Sequence, residues 1–265
     1  MEAKQPVDFE RARSASAEEI SLLVHAQDPD VLLGLLKNPL LNETHLCLLL
    51  ERKDLSGDLL ESIARRRELI KSYRVKKALA FHPHIPRMFF IRLVRELYLM
   101  DLVQLSLLPV VPAPMKRLAE EVLISRLAQL PLGQKLALAR RASARVAGAL
   151  LAEGNHQVAK IALDNTFLTE AQVLKALSRE KFPPGVVQTV ATHRKWSQVY
   201  NVRLALLRHP ATPLLVVLAV LPDLTVGDLK ELSSSKVLPE NLRRYVEHEI
   251  EQRMSAARDS RKKET

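Results

Sequence analysis

The sequence is short of the residues that staple, bend and stack a chain. It has one cysteine, seven glycines and only 4% aromatic residues in 265. A lone Cys47 excludes an internal disulfide and fits a reducing compartment. Its setting, HLCLLL, predicts a small buried apolar residue. There is no Asn-Gly or Asp-Gly pair and no sustained alternation of Val, Ile, Thr and aromatics, which argues against hairpins and sheets. The N-terminal stretch MEAKQPVDFERARSASAEE lacks the apolar core of a signal peptide. The longest uncharged apolar run in the C-terminal half, Leu214–Leu221, is too short to cross a bilayer. These absences predict a soluble, cytoplasmic protein with no membrane span. A Gly-rich phosphate loop, a nucleophile elbow and an HExxH pair are all missing, so no enzyme activity, cofactor or metal is expected.

What is present is apolar and basic. Apolar residues make up 47%, carried mostly by Leu and Ala, which favours helix and excludes wholesale disorder. The net charge of +10 invites an anionic partner, although a solvated helical surface rich in Lys and Arg has the same composition.

The most informative pattern is internal. Val75–Glu121 matches Val202–His248 without a gap at a shift of 127, with 15 identities in 47 positions. Both copies carry ALxxHPxxP, at 78–86 and 205–213. Weaker blocks begin at Asn38 and Asn165, each 44 residues before a His of the stronger pair. The first copy is read as roughly Val31–Ala64. A period near 44 lies in the range of helical repeat arrays.

Each block reads as a helix-stop, helix-start joint. The residue before Pro is pushed out of the α region, and the second Pro, Asn or Thr sits at the next helix's cap or first turn. His82, Pro83 and Pro86, and His209, Pro210 and Pro213, are therefore structural joints. His82-Pro83-His84 could be a metal pair, but the copy keeps only His209 and the first block has Asn38, so a hydrogen-bonding role at a helix end is preferred. Asp101 and Asp228 recur and are read as caps of short helices.

In chain order, residues 1–15 are expected to be disordered and 16–253 to form one domain. Residues 254–265 are expected as a flexible charged tail. Ser16-Ala17-Glu18-Glu19 and Thr169-Glu170-Ala171-Gln172 read as capping boxes, and Asp28-Pro29 as a helix start. Arg87–Leu99 and Lys135–Leu151 read as long helices. Glu240–Arg253, with Leu242, Tyr245, Val246 and Ile250 on one side, reads as a C-terminal cap of the array.

The joints at 38–42, 78–86, 165–169 and 205–213 resemble those of bacterial HEAT-like and variant leucine-rich-repeat α-solenoids. The resemblance implies an all-α, right-handed superhelix of about five to six irregular two-helix repeats. It carries architecture and no activity; a DNA-repair enzyme of the HEAT-like kind is a remote alternative, with no local motif to carry over.

Candidate binding residues are basic. Arg65, Arg66, Arg67, Lys71, Arg74 and Lys77 form the densest run; Arg87, Arg92 and Arg95 follow, and Lys135, Arg140, Arg141 and Arg145 form a second cluster. Trp196, the one tryptophan, stands in HRKW and could stack on a base, although burial against the next helix is the commoner fate. Trp196, Tyr200 and Arg203–Arg208 are a further place to look for a ligand. The expected function is a non-catalytic scaffold that binds a protein partner through a concave or basic face. Nucleic acid bound through its phosphates is the alternative. The sequence leaves the oligomeric state open.

Overall fold

A computed structural model describes residues 7–179, 182–234, 238 and 240–263. Among these the chain is all-helical, with no strand. No described helix is long and apolar enough to cross a membrane. Contacts gather into two compact units, Met1–Ser125 and Arg126–Thr265.

The first unit holds α1 (Val7–Ser14), α2 (Ala17–Leu23), α3 (Pro29–Leu35), α4 (Glu43–Glu51), α5 (Gly57–Arg65), α6 (Tyr73–Ala80), α7 (Arg87–Val94), α8 (Leu99–Leu107) and most of α9 (Ala113–Arg126). The second holds α10 (Leu132–Arg141), α11 (Ala144–Ala152), α12 (His156–Leu163), α13 (Glu170–Leu177), α14 (Pro184–Ala191), α15 (Tyr200–Arg208), α16 (Leu214–Val220), α17 (Val226–Ser234) and α18 (Glu240–Lys263). Each of α11 to α18 begins 127 residues after its counterpart among α2 to α9. The spacing seen in the sequence over Val75–Glu121 thus governs nearly the whole chain.

Within each unit the helices pack in two rows. In the second unit α10, α12 and α14 follow one another in one row, and α11, α13 and α15 in the other. The first unit shows the same neighbours, α1 on α3 on α5, and α4 on α6. The core is aliphatic. Leu79 and Leu206 are 0% and 1% exposed at matching positions, and burying such a side chain contributes about 1.5–3 kcal/mol. The C-terminal end of the second unit closes on Leu229, Leu232, Leu242 and Val246, with Ile250 against them, whereas Tyr245 faces solvent.

The Pro-containing blocks fall between helices. α6 stops before His82 and α7 starts after Pro86; α15 stops before His209 and α16 starts after Pro213. His82 Nδ1 accepts from the His84 N–H at 3.2 Å, and its Nε2 donates to the Arg52 carbonyl at 2.7 Å. Asn38 fills that slot differently. Its amide donates to the Ala12 and Ala15 carbonyls, at 3.0 and 2.9 Å, and its oxygen accepts from the Leu40 N–H at 2.8 Å. Asn165 repeats this with Ala139, Ala142 and Phe167, at 2.8, 3.0 and 2.7 Å.

These asparagine ties explain two departures from the sequence reading. Residues 7–14 are helical where disorder was expected, and residues 1–6 lie outside the described residues. The expected long helix Lys135–Leu151 is broken, with α10 ending at Arg141 and α11 starting at Ala144 after Ser143. In both places the chain turns between two helices and exposes carbonyls that an asparagine 23 to 26 residues later satisfies. Close packing adds to this for α1: a Cβ on Gly34 of α3 would lie 2.4 Å from the Phe9 carbonyl oxygen, so only glycine admits α1 there.

Other local expectations divide. Ser16 and Glu19 form the capping box of α2, and Asp28 caps α3. Thr169 precedes α13 but makes no side-chain cap bond. The helix read as Arg87–Leu99 ends at Val94, and α8 starts at Leu99. Asp101 and Asp228 lie inside α8 and α17 and are not their N-caps. The cap is supplied from a distance: the Tyr73 hydroxyl accepts from the Tyr98 N–H at 2.9 Å and donates to the Asp101 carboxylate. Tyr200 does the same with Thr225 and Asp228, and α17 has a local cap besides, the Thr225 hydroxyl accepting from the Asp228 N–H at 3.2 Å. α18 continues to Lys263 through most of the stretch read as a tail; residues 264–265 lie outside the described residues. Cys47 is half-buried, and burial raises its thiol pKa.

Candidate functional site

Within each unit the basic residues singled out by the sequence divide among links, helix rows and local pairs. Arg65 ends α5 and pairs with Glu61, its Nε 2.8 Å from Oε1. Arg66, half-buried, donates to the Leu36 carbonyl. Arg67 and Lys71 are exposed in the link between α5 and α6. On α6, Arg74 lies 3.7 Å from Glu43, and Lys77 lies 2.6 Å from Asp101. Arg87 and Arg92 are exposed on α7, and Arg95 caps its end. In the second unit Lys135 pairs with Glu153 at 3.0 Å. Arg140 and Arg141 belong to α10, but Arg145 belongs to α11 in the other row. Much of the positive charge is therefore spent on local ion pairs and carbonyl capping, each exposed pair worth at most about 1 kcal/mol.

Trp196 is 2% exposed, and its indole N–H donates to the Leu163 carbonyl at 2.8 Å. Lys195 Nζ stands 4.2 Å from the ring centroid. The ring is a packing element of the second unit and is not presented for stacking on a base. His82 and His84 are also committed to carbonyls, His84 Nδ1 to that of Leu55 at 3.1 Å. No group of three or more His, Cys, Asp or Glu among the described residues is placed to hold a metal.

A different place comes forward. Between α13 and α15 lies an open cleft of about 640 Å³. Leu174 and Leu177 of α13 and Leu204 and Ala205 of α15 give it an apolar wall, and Pro210 continues that wall. Arg179, Arg208 and His209 bring its nitrogen donors. That volume lies in the range of ordinary ligand sites, and the mix of apolar wall and few polar groups is typical of them.

The cations here are held loosely. Arg208 pairs with Glu231 at 3.0 Å, and that carboxylate is 70% exposed. Arg179 reaches the Ala152 carbonyl at 3.4 Å. Its counterpart in the first unit, Arg52, donates to the Val24 and Ala26 carbonyls at 2.8 and 2.7 Å and grips Asp54 through two bonds. That grip holds the Asp54 carboxyl down at about 2. The residue matching Asp54 is Lys181, so the Arg52–Asp54 spacing does not recur at Arg179.

His209 is 4% exposed. Its Nδ1 accepts from the Ala211 N–H at 3.2 Å, which leaves the proton on Nε2. Nε2 is buried and makes no hydrogen bond of sound geometry among the described residues. Burial lowers the ring's pKa, and a weak hydrogen bond to the Arg179 backbone opposes that fall.

Sequence reasoning reached Leu204, Ala205 and Arg208 through the Arg203–Arg208 segment but missed Leu174, Leu177 and Arg179. The signal lay in differences between the copies. Phe81 becomes Arg208, Lys77 becomes Leu204 and Asp54 becomes Lys181. In the first unit Lys77 Nζ lies 5.5 Å from the Phe81 ring centroid and pairs with Asp101, so that surface is closed on itself. No protein-family model matches the chain, and no curated protein or solved structure matches it either.

Proposed function

We propose that the protein is a non-catalytic α-solenoid scaffold that binds a protein partner on the α13–α15 face of its second unit. Two rows of short helices stacked on their neighbours are the packing expected of such an array, in which each step buries its apolar side against the next. The helix starts that recur at 127 support a tandem origin of the two units. The observation that carries the functional reading is the open apolar cleft between α13 and α15, rimmed by loosely held arginines. Within each unit the described basic residues divide between helix rows and local ion pairs, which favours the cleft over a phosphate-tracking row.

The test separates protein from nucleic acid by salt. Phosphate binding falls steeply as salt rises, whereas docking on an apolar cleft does not. Immobilised protein is expected to retain a reproducible protein at 300 mM salt and to show no anisotropy change with labelled duplex or single strand at 50 mM. Tight duplex or strand binding at 50 mM that vanishes at 300 mM, with no protein retained, overturns the proposal.

A further inference from the structure

We infer that the α13–α15 cleft recognises an apolar group carrying a free carboxylate, in the first instance the C-terminal residue of a protein partner. The inference rests on the proposal that this face binds a protein. Three features of the cleft point to that chemistry.

The first is the division of the lining. Leu174, Leu177, Leu204 and Ala205 offer a wall for an aliphatic side chain, and the described lining contains no carboxylate. The second is the donor set. Arg179 and Arg208 are guanidinium groups whose contacts among the described residues are a long carbonyl bond and an exposed ion pair, both readily exchanged for a buried carboxylate. Guanidinium forks match carboxylates in geometry, and such bonds gain strength where water is excluded. The third is His209. This nearly buried ring on the cleft lining has only a marginal bond from its Nε2 to the Arg179 backbone, so its N–H can be given to a better-placed acceptor. In the first unit the matching His82 N–H is spent on the Arg52 carbonyl at 2.7 Å.

The first unit also shows what the site would be without this function. The same joint there carries Phe81 and Lys77, with the lysine over the ring and paired to Asp101. A phenylalanine is thus compatible with the fold at this position, and the exchange to Arg208 and Leu204 opens an apolar wall beneath a cation.

The experiment is calorimetric titration of the full chain with three probes: N-acetyl-leucyl-leucine, its C-terminal amide, and octanoate. The free acid is expected to bind at least tenfold more tightly than the amide. Arg208→Phe, which installs the first unit's residue, is expected to abolish binding of the acid while the unfolding midpoint followed by Trp196 fluorescence stays in place. Arg179→Met, which keeps the side chain's bulk, is expected to weaken the acid five- to twentyfold and the amide hardly at all. Binding of octanoate as tight as the peptide acid supports the carboxylate site but assigns it to a free amphiphilic acid, and overturns the chain-terminus assignment. Equal binding of acid and amide overturns the carboxylate inference while leaving a protein-binding face intact. Absence of binding by all three probes, or unchanged binding in a folded Arg208→Phe protein, overturns the site itself; whether that face still binds a protein is then read separately by cross-linking from Ala205.

Discussion

Replacing Asn165 by alanine or by aspartate tests the most specific piece of the architecture. The side chain is almost fully buried and makes three hydrogen bonds, donating to the Ala139 and Ala142 carbonyls and accepting from the Phe167 N–H. A hydrogen bond of this kind contributes about 1 kcal/mol net, and a buried partner left unmet costs about 1–3 kcal/mol. Alanine removes all three bonds, so a loss of about 3 kcal/mol is expected. Aspartate keeps the shape and the Phe167 bond but turns a negatively charged oxygen toward two carbonyls. Its cost should exceed that of alanine at pH 7, about 3–5 kcal/mol, the range found when a buried charge loses its partner. Because the buried carboxylate's pKa would be raised, the aspartate penalty shrinks as pH falls toward the ordinary carboxylate value. The assay is urea unfolding followed by Trp196 fluorescence, which reports on the second unit because the chain has one tryptophan and it is buried there. A loss under about 0.5 kcal/mol in either variant would show that water satisfies those carbonyls and that asparagine does not brace the joint.

Other consequences follow from the same contacts. Leu79→Ala and Leu206→Ala should each cost about 2–5 kcal/mol in urea unfolding, since both remove a fully buried side chain at matching places. His82 and His209 have pKa values lowered by burial, so the unfolded chain binds more protons below its own His pKa near 6.5. Stability is therefore full above about pH 6.5 and declines as pH falls through that value; the double His→Asn variant should flatten the decline in a pH series of melting temperatures. Tyr73 is pushed up to about 12 by burial and by its bond to Asp101. The folded state then holds a proton that the unfolded state loses above about pH 10, so stability falls between about pH 10 and 12, and Tyr73→Phe should remove that part of the fall. Gly34→Ala should dislodge α1, read as faster amide exchange over Val7–Ser14 with α4 unaffected.

The joints were legible in the sequence because Pro, His and Asn act locally there. His82-Pro83 and His209-Pro210 stop helices through their own backbone and their immediate neighbours. The full extent of the 127-residue register was not legible beyond Val75–Glu121. Elsewhere the two units solve the same structural problem with different residues: the carbonyls of Leu36 and Leu163 are capped by Arg66 and by Trp196 respectively. The break between α10 and α11 was hidden because its cause, Asn165, lies more than twenty residues downstream in a segment whose own pattern looked complete. The starts of α8 and α17 were misassigned for a similar reason, since a tyrosine from an earlier helix bonds the N–H at each start and donates to the aspartate, and at α17 the Thr225 hydroxyl caps the Asp228 N–H locally. The basic runs were visible, but charge in sequence does not reveal which guanidinium already holds a carbonyl. The cleft lies where one copy departs from the other, and similarity between copies drew attention away from it.

The central claim, that the α13–α15 face receives a protein, is tested most directly by site-specific photo-cross-linking. A benzophenone side chain placed at Ala205, in the cleft, is compared with one at Ala219, on the solvent side of α16. The account predicts that a discrete protein is captured from Ala205, that Arg208→Phe removes it, and that Ala219 captures none. Capture from Ala219 but not from Ala205 would move the interface to the exposed leucines of α16, where Leu215 is 82% exposed, and would contradict the account.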